Sequence, residues 1–443
     1  MRPSDVQPAC RLFCAFVLMF ALRCVAHPQV VQQDLNRNEV GFWEGRIRQP
    51  DGALRFTLEV EQTVDELQGF VGHPDLGVFR WPVKIKTSMD SFSFELRTDG
   101  GEVRYAGVVE NRTVTGSVTV GNRTSPFRLR RERKPTPPYT EQELKVPSGD
   151  VSLAATLLLP RRHPPYRAVI FVHGSGGEAR GGQNRFLADL FARHGIASLV
   201  YDKRGVGGSG GDWQRSTFDD LANDVLAVVS LLKSRADIDS RRIGLFASSE
   251  GAGYVSPLTI FRSPDIAYLI LKSGPFVTPA RQYLFEDENA LRNRGLSAAD
   301  IKEALEFRKV IFATALIGDW TTLRREMNRN NSKAWFDYMS PGPPDFWWWS
   351  WWKDKVDFDP VPFMTKVRVP VLALYGGADE FVPVDESRKR LQDALAAAGN
   401  KNYKITVFRE ADHALYVASR KGGLPRFASG YPDLVLRWIA ELN

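Results

Sequence analysis

Two changes of pattern along 443 residues predict a two-part molecule. The larger part is an α/β fold, a doubly wound and mostly parallel sheet with a helical cap insertion. A smaller all-β domain precedes it. Three observations carry this reading. Apolar and polar residues alternate with a period of two from Gly41 to Arg131, with turns between. Beyond about residue 144, short apolar runs alternate with helical stretches. Between the two lies Pro135-Thr136-Pro137-Pro138, a stiff connection.

The first segment has Arg11, an apolar run from Leu12 to Leu22 and the small residues Cys24-Val25-Ala26, which together read as a secretory signal over residues 1–26. The run is too short to cross a bilayer unaided. All three cysteines, Cys10, Cys14 and Cys24, lie here. Cleavage after Ala26 would leave no cysteine, so thiolate nucleophiles and thiolate metal sites drop out. The expectation is a secreted or periplasmic protein with no stable membrane insertion after cleavage.

Residues 27–134 are expected to form the β domain. Arg55-Phe56-Thr57-Leu58-Glu59-Val60 and Val114-Thr115-Gly116-Ser117-Val118-Thr119-Val120 alternate as half-buried strands do, and Asp99-Gly100-Gly101 and Gly121-Asn122 supply hairpin turns. This favours an antiparallel sandwich or small barrel. Residues 135–143 are read as linker and 144–443 as the α/β domain. Its buried-type strands are predicted at Ala168–His173, Ala197–Asp202, Arg242–Ala247, Ala267–Lys272, Val369–Tyr375 and Tyr403–Phe408. Helices such as Phe218–Lys233 and Val384–Ala398 lie between them, as a parallel sheet requires. The alternation stops from about residue 275 to 362, where helices and loops suggest a cap.

Composition narrows the function. At 43% hydrophobic and 25% charged the chain is ordinary globular protein. The formal charge is +7, of which the first 26 residues hold +2. That is far short of a nucleic-acid footprint, and no base-reading motif accompanies it. No His, Asp or Glu cluster shows metal-ligand spacing, so neither metal nor cofactor is expected.

The most informative stretch is Ile243-Gly244-Leu245-Phe246-Ala247-Ser248-Ser249-Glu250-Gly251-Ala252-Gly253. A strand runs into a small-x-Ser-x-Gly turn and then a helix. Such a turn presents its serine in a strained conformation, so the positions two residues either side must be small. Ala247 and Gly251 meet that need around Ser249, with Ala where the stricter pattern has Gly. Ser248, the competing nucleophile, is flanked by Phe246 and Glu250, which would clash.

From about Lys145 onward the chain resembles the α/β-hydrolases, near their dienelactone-hydrolase and prolyl-oligopeptidase-like branch. Bacterial secreted esterases with an added N-terminal β domain look most similar. Besides the serine turn, Phe171-Val172-His173-Gly174-Ser175-Gly176-Gly177 resembles the family's oxyanion loop. Tyr201-Asp202-Lys203-Arg204-Gly205-Val206-Gly207-Gly208-Ser209 resembles the strand-end loop that follows it. In this fold the base follows the nucleophile, and of six histidines only His413 lies beyond Ser249. The resemblance places the orienting acid at Asp379, with Glu380 and Asp385 as weaker choices. It gives the oxyanion donors as the N–H groups of Ser175 and Glu250, and leaves His173 to brace its loop.

The cap holds Trp335, Trp347, Trp348, Trp349, Trp351 and Trp352, six of the chain's 11 tryptophans. They either glue the cap together or line an acyl site, with Trp348 and Trp351 as candidate substrate-binding residues. The sequence therefore suggests a serine esterase acting on a small-molecule ester. A serine peptidase or aminopeptidase remains open, with Glu286, Asp287 and Glu288 as possible anchors for an amine. A glycan- or lipid-binding role for the β domain is the third reading. Oligomeric state is not legible.

Overall fold

Strand formation in the first domain follows directly from the alternation. Leu54, Phe56 and Leu58 project from one face of a strand and are wholly buried, while Arg55 and Thr57 take the other face. The computed structural model describes residues 39–442 apart from 51, 64–66, 89, 99–100, 162 and 420–423. The expected signal at 1–26 and the turn at Asp99-Gly100 lie outside the described residues. Nine strands, from Gly41–Ile47 to Arg123–Glu132, make one antiparallel sheet, and the first strand sits inside it between Leu54–Gln62 and Arg123–Glu132. Gly121 supplies the positive φ, 57°, at the expected Gly121-Asn122 hairpin. Phe94 stacks on Tyr105 at 4.6 Å within the core.

The α/β domain is built on eight strands. Their spatial order is Tyr139–Ser148, Val151–Pro160, Ala197–Tyr201, Tyr166–Val172, Ile238–Ser248, Tyr268–Lys272, Val371–Gly376 and Tyr403–Phe408. The first three strands pair antiparallel and all later pairs are parallel. All six predicted strands are present, and Tyr403–Phe408 has the predicted bounds.

The linker expected at 135–143 needs correction. Strand Tyr139–Ser148 begins inside it and pairs along its length with Val151–Pro160. This is an edge strand with Glu141 and Glu143 on its outer side, so its polar residues hid the pattern. Tyr139 anchors it, buried and hydrogen-bonded to Asp189 on the helix Gly182–Arg193. The connection shrinks to residues 133–138.

The cap is present as expected. Between strands Tyr268–Lys272 and Val371–Gly376 lie the helices Pro279–Asn293, Ala298–Ile317, Trp320–Asn330 and Trp348–Lys355, with shorter turns between them. Leu291, Phe307, Ile311, Trp335 and Trp349 form its own small core. Inside it Arg308 forms a two-pronged ion pair with Asp287 at 2.7 and 3.2 Å.

The β domain docks on the α/β domain beside the last strands. The Tyr416 hydroxyl donates to Leu76 O at 2.6 Å, Arg426 donates to Gly52 O at 2.7 Å and the Leu424 N–H donates to Gln49 Oε1 at 2.7 Å. Gly77 lies so close to Phe427 that a Cβ there would come within 2.1 Å of the ring.

Candidate active site

Parallel strands end at one edge of their sheet, and side chains just beyond those ends converge there. Ser249 follows directly on strand Ile238–Ser248, with a φ of 52°. A residue with a Cβ holds such a φ only when its surroundings dictate it. Here the Ser249 N–H donates to Lys272 O at 2.8 Å, at the end of the neighbouring strand. On the other side the chain turns into a π-helical turn, Gly251–Val255, continued by the helix Ser256–Arg262. A Cβ on Gly251 would sit 2.3 Å from His173 O, which is why glycine is needed two residues beyond the serine. Ser248 points elsewhere, its hydroxyl buried without a hydrogen-bond partner among the described residues.

Asp379 and His413, far apart in sequence, meet. Asp379 Oδ2 lies 2.7 Å from His413 Nδ1. The other oxygen accepts the N–H groups of Phe381 and Val382 at 2.8 and 3.0 Å, so the carboxylate is fixed at both ends. Glu380 turns to the cap, where its carboxylate accepts Asn293 at 3.0 Å and its carbonyl accepts Asn289 at 3.0 Å. Asp385 pairs with Arg388 on the surface. Asp412 is spent on its own turn, accepting the N–H groups of Ala414 and Tyr416. The Ser273 hydroxyl donates to His413 O at 2.7 Å, so the end of strand Tyr268–Lys272 ties down both serine turn and histidine loop. Phe381 lies against the imidazole, ring centres 5.3 Å apart. Among the described residues no hydrogen bond joins the Ser249 hydroxyl to the imidazole.

Gly174 brings the loop after strand Tyr166–Val172 against Ser249, since a Cβ there would lie 3.3 Å from Ser249 Cβ. Neither the Ser175 nor the Glu250 N–H meets an acceptor among the described residues. His173 is buried edge-on against Tyr201, and burial pushes its pKa down to about 3, so it stays neutral and serves as a brace.

Sequence reading missed the ionic layer beneath these donors. Lys203 and Glu250 are only 4% and 5% exposed and meet at 2.9 Å. Lys272 is buried against Gln183, and burial pushes its pKa down to about 8. Burial also raises the Glu178 carboxyl, whose Oε2 accepts the Gly174 N–H at 3.2 Å. One signal was available: opposite charges immediately after two apolar strands, at places where ions are buried only in pairs.

Of the suggested amine anchors, Asp287 is consumed by Arg308, and Glu288 pairs with Arg292 on the surface. Glu286 keeps a half-buried carboxyl whose pKa rises to about 8, chiefly through burial, with Asp287 and Asp379 adding to it. Trp348 donates to Pro341 O at 2.8 Å and lies against Trp349 and Trp352. Trp351 meets Tyr283, Trp352 and the Lys355 ammonium. All of these partners belong to the cap. Among the described residues no three His, Cys, Asp or Glu side chains converge as metal ligands would, and no helix is long and apolar enough to cross a membrane.

Comparison with known proteins matches two families in turn. Residues 163–320, which include Ser249, match the family described as Serine aminopeptidase, S33. Residues 359–432, which include Asp379 and His413, match the Dienelactone hydrolase family. Esterase EstD of Thermotoga maritima is 21% identical over 340 residues, 75% of this chain and 73% of that protein. An uncharacterised 31.7 kDa protein of Escherichia coli is 25% identical over 280 residues, 60% of this chain and 88% of its own. An esterase of Pyrococcus furiosus has a similar solved structure, with a TM-score of 0.45 at 18% identity, covering 69% of this chain and 94% of that one.

Proposed function

The chain belongs to the α/β-hydrolase superfamily and is a hydrolase, and on that premise we propose that it cleaves carboxylic esters through an acyl-enzyme on Ser249. The observation that carries the reading is the Asp379–His413 hydrogen bond of 2.7 Å, on a loop tied to the same strand end as the strained serine.

Each residue then has one task. His413 Nε2 takes the proton from the Ser249 hydroxyl as its oxygen bonds to the acyl carbon. Asp379 holds Nδ1 protonated and stabilises the imidazolium. The negative charge that moves onto the former carbonyl oxygen is received by the N–H groups of Ser175 and Glu250. As the carbon–oxygen bond to the leaving alcohol breaks, His413 returns the proton to it. Water repeats the sequence on the acyl-enzyme, releasing the carboxylic acid and restoring Ser249. The leader-like character of segment 1–26 supports the periplasm or the exterior as the place of this work.

A serine aminopeptidase is the second reading, favoured by the family match around Ser249. It needs a charged anchor for the substrate's amine; Asp287 and Glu288 are already paired with Arg308 and Arg292, and burial disfavours the charged form of Glu286, which together favour the ester. The test pairs fluorophosphonate labelling of Ser249 with turnover of p-nitrophenyl esters and of aminoacyl p-nitroanilides. Labelling with ester turnover is expected. Faster turnover of the anilides would transfer the assignment to the peptidase, and absence of labelling would remove the serine reading altogether.

A further inference from the structure

We infer that Lys203 is a positioning residue that holds the two oxyanion donors in register, an inference that rests on the serine-hydrolase reading. Its single ammonium donates to Gly174 O at 2.8 Å and to Glu250 Oε1 at 2.9 Å. Those two acceptors are not arbitrary. Gly174 C=O and Ser175 N–H are opposite ends of one planar peptide unit, so whatever fixes the carbonyl fixes the direction of the N–H. Glu250 supplies the other donor from its backbone, and its side chain is what Lys203 grips. One cation thus connects the loop after strand Tyr166–Val172 to the turn after strand Ile238–Ser248, across the gap where the oxyanion forms.

The charge adds more than a tether. A cation on the carbonyl polarises its peptide and sharpens the N–H at the far end, and hydrogen bonds in series strengthen one another at low dielectric. Glu178 completes the grip on the loop by accepting the Gly174 N–H at 3.2 Å. Lys203 itself lies 5.9 Å from the centre of the Trp213 ring, shielded from water. Stability alone is a poor reason for this pair, because well-packed apolar side chains replace a buried ion pair at little or no cost. What an apolar pair cannot do is polarise the Gly174–Ser175 peptide.

The test uses the full chain with matched p-nitrophenyl ester and thionoester substrates. Sulfur accepts hydrogen bonds weakly, so the oxo-to-thiono ratio of kcat/KM reads the oxyanion contact and is insensitive to general loosening. In Lys203→Met, kcat is expected to fall roughly tenfold to a hundredfold, less than or equal to the loss of a whole donor. KM should stay within about threefold, and the ratio should contract along with kcat. The double variant Lys203→Met/Glu250→Gln removes both charges of the pair together, and should fold while showing the same contraction. A folded protein of either kind with the wild-type ratio overturns the inference. If neither folds, Glu250→Gln decides, since it keeps shape and acceptor but weakens the grip: a contracted ratio supports the inference and an unchanged one removes it. Ser249→Ala run alongside separates the two levels. Activity in Ser249→Ala sinks the serine reading, whereas an unchanged ratio with an inactive Ser249→Ala sinks only the role of Lys203.

Discussion

A φ of 52° at Ser249 costs on the order of 1–3 kcal/mol, and the fold meets that cost with the Lys272 carbonyl on one side and the tight Gly251 contact on the other. Ser249→Ala keeps the Cβ and so the same backbone. It should fold normally while hydrolysis falls at least about a thousandfold, leaving only binding and the oxyanion donors. Ser248→Ala removes a buried hydroxyl that has no hydrogen-bond partner among the described residues, and activity should stay within about threefold. Equal activity in the two would mean the nucleophile is misassigned. Asp379→Asn preserves shape but loses the charge facing His413, so kcat should drop on the order of 10⁴. Glu380→Gln, whose parent carboxylate faces Asn293, should remain within about tenfold of wild type. The reverse order would move the acid to Glu380. The Ser249 turn and the Asp379–His413 contact were legible in the sequence because the turn is local, only one histidine follows it, and the resemblance pointed to Asp379. Lys203 and Glu250 stand 47 positions apart, and a charge just after an apolar strand does not say which opposite charge it meets.

Legibility at the level of elements follows exposure. Strand Tyr403–Phe408 kept its predicted bounds, whereas Tyr139–Ser148 was missed because its outer face is charged. The cap was readable as helices, but not the direction in which its tryptophans face. Their contacts are with other cap residues, which favours a packing role. Trp348→Ala and Trp351→Ala should each cost about 2–3 kcal/mol of stability, below the range for a fully buried tryptophan. A long-chain ester and an acetate should then lose kcat/KM alike. A ratio that shifts against the long ester by more than about threefold would put the rings in the acyl site instead. The cap helix Pro279–Asn293 also carries a pH signature through Glu286. Its folded pKa, about 8, lies above the ordinary 4.5. Below about pH 4.5 the carboxyl is neutral in both states and costs nothing. Between there and about 8 the unfolded chain ionises while the folded one resists, so native stability declines. Glu286→Gln should therefore match wild type in Tm near pH 4 and exceed it increasingly up to pH 8. A Tm difference that stays flat from pH 4 to 9 would mean the carboxyl titrates normally.

At the scale of the molecule the two domains meet next to the chemistry, through hydrogen bonds between residues 340 to 375 positions apart. No sequence pattern reports contacts at that separation, which is why the β domain's role was not legible. Its placement supplies a role. Tyr416, three residues beyond His413, donates its hydroxyl to Leu76 O of the β domain, and its N–H closes the turn on Asp412. The β domain thereby braces the loop that must keep the imidazole on Asp379. Tyr416→Phe tests this with little collateral change, because the ring keeps its stack on Phe427, 5.0 Å away, and only the hydroxyl is lost. The lost bond is worth about 1 kcal/mol. Spread into loop motion, it should raise amide exchange across residues 409–419 and lower kcat by roughly twofold to tenfold, with KM little changed. Exchange that rises only within the β domain, with kcat at the wild-type value, would reduce the contact to glue between domains. A fall in kcat that tracks faster exchange around His413 would make the β domain part of the catalytic apparatus.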